Sequence, residues 1–152
     1  MAKVRYTEED MADHEGIASV IKNRKGQILM QEHAKYGFWT LPVGKIKAGQ
    51  TAAEGLKEEL FEECGIIVEG FRETASKKYS YTRKKREVSV FIHLFEITGY
   101  SGDIKNREPH KHLKQEFISL EEIKKMPYLS DVTLLYLETL GFERKANIGF
   151  VQ

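Results

Sequence analysis

Cysteine is nearly absent from this chain: Cys64 is the only one. A single thiol cannot form a disulfide framework within the chain, and it suits a reducing compartment, so a cytoplasmic location is expected. Proline is scarce too, and Pro42, Pro109 and Pro127 lie too scattered to mark a linker between domains. No apolar run approaches the ~18 residues of a membrane span. Met1 to Gly16 lacks the apolar core of a signal peptide, and no membrane partner is expected. Also missing is an excess of charge of either sign. Lys and Arg number 24 against 23 Asp and Glu, a formal net charge of +1, so any affinity for phosphate must be local. Repeats and low-complexity segments are absent. What remains is an ordinary globular balance, 41% hydrophobic and 31% charged over 152 residues. That suffices for a single domain over 1–152, burying roughly 68–70% of its unfolded surface without disulfides. Residues 1–14 are expected to form a flexible N-terminal segment.

Strand and helix signals are mixed along the chain. Ile17 to Ile21 and Ile28 to Met30 are short apolar runs flanking Asn23-Arg24-Lys25-Gly26, which predicts a hairpin. Phe38 to Leu41 predicts a short strand stopped by Pro42. Ile66 to Phe71, Val88 to Ile97 and Gln115 to Leu120 predict further strands, and the second is mostly apolar, as a central strand would be. Ser119, with Glu122 three residues on, opens a short helix to Lys125. Ser130 to Leu140 predicts another, with apolar Val132, Leu135, Leu137 and Leu140 and Gly141 as its stop. The expected fold class is α/β (α+β), a sheet covered by helices on its faces.

The clearest helix runs from Thr51 to Cys64. Thr51 and Glu54 make a capping box, and Gly65 is placed for a left-handed stop. Ala53, Leu56, Leu60 and Cys64 share one face, which should be buried. Glu59, Glu62 and Glu63 gather on another. As a bare helix this is unfavourable. Glu58/Glu62 and Glu59/Glu63 are like-charge i, i+4 pairs, and all four sit where the helix dipole disfavours anions, at a cost of a few tenths to about 1 kcal/mol each. Such a cluster invites a cation, and hard oxygen ligands without thiolates favour Mg²⁺ or Mn²⁺ over zinc. A solvated acidic face is the alternative.

The segment from Leu41-Pro42-Val43-Gly44 through Glu58-Glu59-Leu60-Phe61-Glu62-Glu63-Cys64-Gly65-Ile66 resembles the Nudix box, residues 44–66. Gly44, Glu59, Leu60, Glu62, Glu63, Gly65 and Ile66 fall in register with it, and Gly37-Phe38-Trp39-Thr40-Leu41-Pro42 resembles its usual lead-in. With the flanking strands and Phe117-Ile-Ser-Leu-Glu-Glu-Ile, the likeness extends over about Gly16 to Leu140. The resemblance implies an α/β/α sandwich with a mixed β-sheet between helices. It further implies metal-dependent hydrolysis of a pyrophosphate bond in a nucleotide or in a nucleoside diphosphate linked to another group. On this reading Glu59, Glu62 and Glu63 are catalytic metal ligands, the Gly44 carbonyl is an additional one, and Mg²⁺ (or Mn²⁺) is the cofactor. Two positions depart from the family: its first glutamate is Gln50 here, and its arginine is Glu58. These help to position the ligands, partly through a carboxylate–guanidinium contact that an amide facing a carboxylate cannot reproduce in full. A Nudix-fold nucleotide-binding or regulatory module, with catalysis weakened or lost through Gln50 and Glu58, is therefore the alternative function. Val43 also replaces a common glycine, and Glu32 stands where many members carry a basic residue.

Outside the box, Glu108, His110, His112 and Glu116 lie in or near a loop where family members often supply a general base; Glu108 and Glu116 are the candidates carried forward. Zinc binding by His110 and His112 is not expected without further ligands. The basic run Thr82-Arg83-Lys84-Lys85-Arg86 predicts a solvated hairpin tip; a nucleic-acid partner is not expected, since no aromatic residue interrupts it. Cys64 should be a buried small hydrophobe. Gly55, between the glutamates on the helical wheel, could leave room for metal and phosphate, although alanine would serve equally well there. The expected partner is a small nucleotide. Oligomeric state is open, a homodimer included.

Overall fold

The computed structural model describes residues 4–143. Its elements follow in the order α1 (Glu8–Met11), β1 (His14–Val20), β2 (Ile28–His33), β3 (Trp39–Thr40), β4 (Val43–Lys45), α2 (Ala52–Cys64), β5 (Ile67–Arg83), β6 (Arg86–Ser101), β7 (His112–Ile118), α3 (Leu120–Lys125) and α4 (Asp131–Thr139). Two sheets form, where one was expected. The larger has the order β4-β1-β6-β5, with β1 and β6 parallel and the other pairs antiparallel; the smaller is antiparallel, β3-β2-β7. The strand mixture is thus as the resemblance implied, but the strands divide between two sheets.

Alternation along the strands builds a core on each side. Ala18, Met30, Leu94 and Ile118 pack with Ile123 of α3 and with Val132, Leu135 and Leu137 of α4. Their neighbours Ile17, Leu29 and Phe95 point the other way and pack with Leu56, Leu60 and Cys64 of α2. Successive strand residues face opposite sides, so strands covered on both faces lose their polar alternation. None of the helices among the described residues is long and apolar enough to cross a membrane.

Two expectations are corrected. The segments 17–21 and 28–30 pair only at their turn end, where Lys22 bridges Ile28 and Leu29 N donates to Ile21 O at 2.9 Å; from there β1 and β2 run into different sheets. Asn23 Oδ1 accepts from both Lys25 N and Gln27 N, so the turn forms as expected while the ladder beyond it stops after one bridge. Second, Ile66 to Phe71 is only the start of β5, which continues to Arg83 and returns through β6 as one long hairpin. Residues 72–82 are mostly polar and exposed, so their backbone pairing left no apolar period to read. The N-terminal segment makes contacts with the rest of the chain over much of its described length. Thr7 and Asp10 cap α1 reciprocally, and the buried Asp10 carboxylate binds Lys35 Nζ at 2.5 Å and Lys45 Nζ at 2.7 Å. Arg83 also donates to the Asp10 carbonyl, at 2.6 Å. Burial alone would raise the Asp10 pKa, but the two lysine contacts prevail and hold it well below the usual carboxylate range. Residues 1–3 of that segment lie outside the described residues.

Candidate active site

Helix α2 is placed by its ends and by its apolar stripe. Thr51 Oγ1 accepts from Glu54 N at 3.1 Å while Glu54 Oε1 accepts from Thr51 N at 2.9 Å, and Gly65 closes the helix at φ 74°. Leu56, Leu60 and Cys64 are fully buried against β1, β2 and β6, which fixes the rotation of the helix about its axis. Ala53 is only half-buried. Given that rotation, Glu59 and Glu63, one turn apart, are carried inward. Glu63 is 4% exposed, and its Oε2 finds no hydrogen-bond partner among the described residues. Glu62 stays at the surface.

Strand β4 brings the backbone to this pair. It runs antiparallel beside β1 with Gly44 opposite Ile17. The Glu59 side chain lies directly on Gly44: a Cβ built there would fall 2.6 Å from Glu59 Oε2. Only glycine lets the carboxylate reach the main chain, which explains the residue at a position of ordinary φ.

The loop between β6 and β7 closes the site. Lys105 N donates to Cys64 O and Arg107 N to Glu63 O, each at 3.0 Å, and Arg107 Nη1 donates to Phe61 O at 2.9 Å. These bonds satisfy carbonyls that every helix C-terminus leaves open, and the arginine opposes the dipole there. The loop so pinned sets Glu108 and Lys111 beside the glutamates, where they join in an ion pair of 3.2 Å. Burial pushes the Glu59 carboxyl up to about 7, and the Glu62 charge adds to the effect. Burial likewise raises Glu63 well above the carboxylate range, followed by the charges of Glu59 and Glu108. Lys111 shows the complement: burial opposes its charge, but Glu108, Glu63 and Glu59 outweigh that and hold its pKa up.

The remaining sequence candidates separate cleanly. Glu116 lies on β7 between Gln115 and Phe117, which face α2, so its side chain belongs to the opposite face, and it is exposed. His112 is buried and half faces His33, whose pKa burial lowers to about 4; His110 is exposed. Gly55 does not make room among the glutamates. It faces the loop before α2, where a Cβ would meet Ile46 Cγ1 at 3.2 Å. Cys64 is buried, its thiol pushed up to about 12 by that burial.

Gln50 and Glu58 touch. Gln50 Nε2 donates to Glu58 Oε2 at 2.5 Å, and the other oxygen of Glu58 binds Lys47 Nζ. That hydrogen bond lowers the Glu58 pKa and raises that of Lys47. Sequence reasoning missed Lys47 and Lys111. The first could have been found as a cation within the loop that carries Gln50; the second depends on the 102–111 loop conformation and left no local signal.

Among the described residues no three His, Cys, Asp or Glu side chains close into a finished metal cage. Bare carboxylates repel, so a full set of ligands converges only once a cation compensates them. The donor set nonetheless suits an oxygen-preferring divalent ion. It offers a buried and a half-buried carboxyl that repel each other, one buried oxygen without a partner among the described residues, and a backbone laid open by glycine.

The chain is similar to known proteins in sequence and in fold. The chain is 31% identical over 110 residues to the 8-oxo-dGTP diphosphatase of Buchnera aphidicola, 71% of this chain and 78% of that protein. It is 40% identical over 60 residues to the RNA pyrophosphohydrolase of Edwardsiella ictaluri, but this spans only 37% of the chain and 34% of that protein. The fold matches the MutT NUDIX hydrolase from Burkholderia pseudomallei with a TM-score of 0.70 at 22% identity, over 84% of this chain and 98% of that one. The MutT protein from Methanosarcina mazei matches at 0.67 and 22%, over 87% and 95%. The family model described as NUDIX domain matches residues 12–135, from the end of α1 into α4, and the chain belongs to the Nudix family.

Proposed function

We propose that Glu59, Glu62 and Glu63, with the Gly44 carbonyl, hold Mg²⁺ or Mn²⁺ against the diphosphate of a nucleotide derivative whose pyrophosphate bond this chain hydrolyses. The observation that carries this is the buried Glu63 and the half-buried Glu59 set beside the Gly44 backbone, with too little positive charge to balance them. When bound there, such an ion supplies charge neutralisation for the pyrophosphate oxygens and a bound water of lowered pKa. The chain's own groups do the rest. Glu59 and Glu63 would give up their protons to solvent as positive charge enters the site, since burial and the neighbouring carboxylate charges keep those protons on. Glu108 is the acceptor for the proton of the attacking water, and its 3.2 Å contact with Lys111 sets its orientation. Lys111 also faces the charges of Glu59 and Glu63, and so tempers the field in which an anionic substrate must bind.

The alternative, a binding module crippled at Gln50 and Glu58, supposes that these two positions no longer support the site. Their direct hydrogen bond speaks against it. The test is release of phosphate or nucleotide by the purified chain with Mg²⁺ and then Mn²⁺. The panel covers nucleoside triphosphates, oxidised deoxyguanosine triphosphate, RNA bearing a 5′-triphosphate, and nucleotide-linked diphosphates. Metal-dependent turnover is expected, lost in Glu59→Gln and Glu63→Gln. Absence of turnover on every compound, with nucleotide still bound in calorimetry, would overturn the hydrolase reading in favour of the binding module.

A further inference from the structure

Lys47, Gln50 and Glu58 form a bridge between the box loop and α2 that the ligand roles do not account for. Gln50 closes the loop on itself: its backbone N–H donates to Lys47 O and its Oε1 accepts from Lys47 N, both at 3.0 Å. The same side chain donates through Nε2 to Glu58 Oε2 at 2.5 Å. Lys47 Nζ takes Glu58 Oε1 and stands 4.0 Å from Glu62 Oε1. Both oxygens of Glu58 are therefore held from one turn of the loop. Gly55 lets the two elements approach, since a Cβ there would lie 3.2 Å from Ile46 Cγ1 and 3.6 Å from Gln50 Oε1. Gly44, which carries the Glu59 carboxylate, lies three residues before Lys47 on the same short segment.

We propose that Lys47 is a positioning residue: through Glu58 and Gln50 it locks the 44–50 segment onto α2 and so sets the Gly44 backbone against the Glu59 carboxylate. The polarity of the lock is the reverse of that implied by the family resemblance. There the helix supplies the cation, an arginine, and the loop the carboxylate; here the helix supplies Glu58, the loop supplies Lys47, and the amide of Gln50 joins them. This inference rests on the hydrolase reading for its consequence, not for its contacts.

Two physical effects of removing Lys47 have opposite signs. Coulomb's law alone makes a nearby cation repel a bound metal ion, so its loss should tighten metal binding. Loss of positioning should weaken it, by about tenfold, the lower end for groups that orient metal ligands. The pair is exposed and adds little to folding, so melting should barely move in either case.

The experiment measures Mn²⁺ affinity by electron paramagnetic resonance, without substrate. It uses the full chain, Lys47→Met, Lys47→Arg, and both in a Gln50→Glu/Glu58→Arg background that rebuilds the family's pair. Hydrogen exchange of the Gln50 side-chain amide is followed by NMR in metal-free protein. Expected are about tenfold weaker Mn²⁺ binding in Lys47→Met, recovery in Lys47→Arg, and an effect below about twofold in the rebuilt background, where Lys47 has no carboxylate at position 58 to hold. The Gln50 amide should exchange faster in Lys47→Met. Unchanged or tighter Mn²⁺ binding, an equal loss in both backgrounds, or unchanged amide exchange would each overturn the proposal. Were the unaltered chain to bind no Mn²⁺, the hydrolase reading would fall, and amide exchange alone would still decide whether Lys47 holds the loop.

Discussion

The Glu59 carboxylate rests on the Gly44 backbone so closely that a Cβ at residue 44 would sit 2.6 Å from its Oε2. The obstacle to a side chain at residue 44 is thus the end of a side chain that can swing away, not a rigid wall. Gly44→Ala should therefore cost little in folding, within about 1 kcal/mol, while displacing Glu59 and weakening metal binding by roughly 10-fold or more. Thermal melting and Mn²⁺ titration of the same variant separate the two effects. Equal losses in both would contradict this account of the glycine.

Glu63 should be a stability liability retained for function. Its carboxyl is buried and resists ionisation, so Glu63→Gln removes a group that opposes folding at neutral pH and above. The metal-free variant should melt higher than the unaltered chain at pH 8. Turnover should fall by about a hundredfold or more, as loss of several kcal/mol of metal-assisted stabilisation requires. A variant that melts lower would mean the glutamate makes a contact that holds the fold.

Stability should fall with rising pH through the window set by Glu59. Its pKa is raised from the ordinary 4.5 to about 7 in the folded chain. Between those values the folded state holds more protons than the unfolded state, so unfolding becomes easier as pH rises, and the loss is complete above about 7. Glu63 extends the trend higher. A cation that pairs with the ionised carboxylates reverses the effect. The gain in melting temperature on adding Mg²⁺ should accordingly be larger at pH 8 than at pH 6, and smaller at pH 8 in Glu59→Gln.

Glu108 and Glu116 should differ sharply. Glu108 shares the electrostatic environment of Glu59 and Glu63, whereas Glu116 projects from the other face of β7. Glu108→Gln should lower kcat by about 10²–10⁴-fold, the range for a general base. Glu116→Gln should stay near the unaltered rate. Comparable losses in both would mean that the water is activated elsewhere.

The hairpin tip offers a check on stability alone. Lys84 and Lys85 adopt φ of 51° and 65°, the positive values that a two-residue turn between twisted strands demands. Lysine is a poor residue for this. Lys84→Asn with Lys85→Gly should stabilise the chain by about 1 kcal/mol in denaturant unfolding, without touching the site.

The sequence by itself determined what depends on neighbours along the chain. Thr51, Glu54 and Gly65 set the ends of α2, Leu56, Leu60 and Cys64 set its buried stripe, and Ser119, Ser130 and Gly141 set the limits of α3 and α4, because caps and 3.6-residue periods are local. The box itself was legible for the same reason: seven residues at fixed spacing need no tertiary knowledge. Strand partners were not. Ile17–Ile21 and Ile28–Met30 look like a hairpin in one dimension, yet β1 pairs along its length with β6, 76 residues on, and only packing on both faces selects that partner. The polar arm of β5 was invisible because its order comes from main-chain bonds to β6, which side-chain pattern does not record. At the site, the sequence supplied the glutamates but not which of them is buried; the depth of Glu63, the Glu108–Lys111 pair and the Lys47–Glu58 bridge all join segments apart in the chain. Burial and electrostatic coupling are sums over neighbours in space, and those neighbours exist only once the sheets and helices have met.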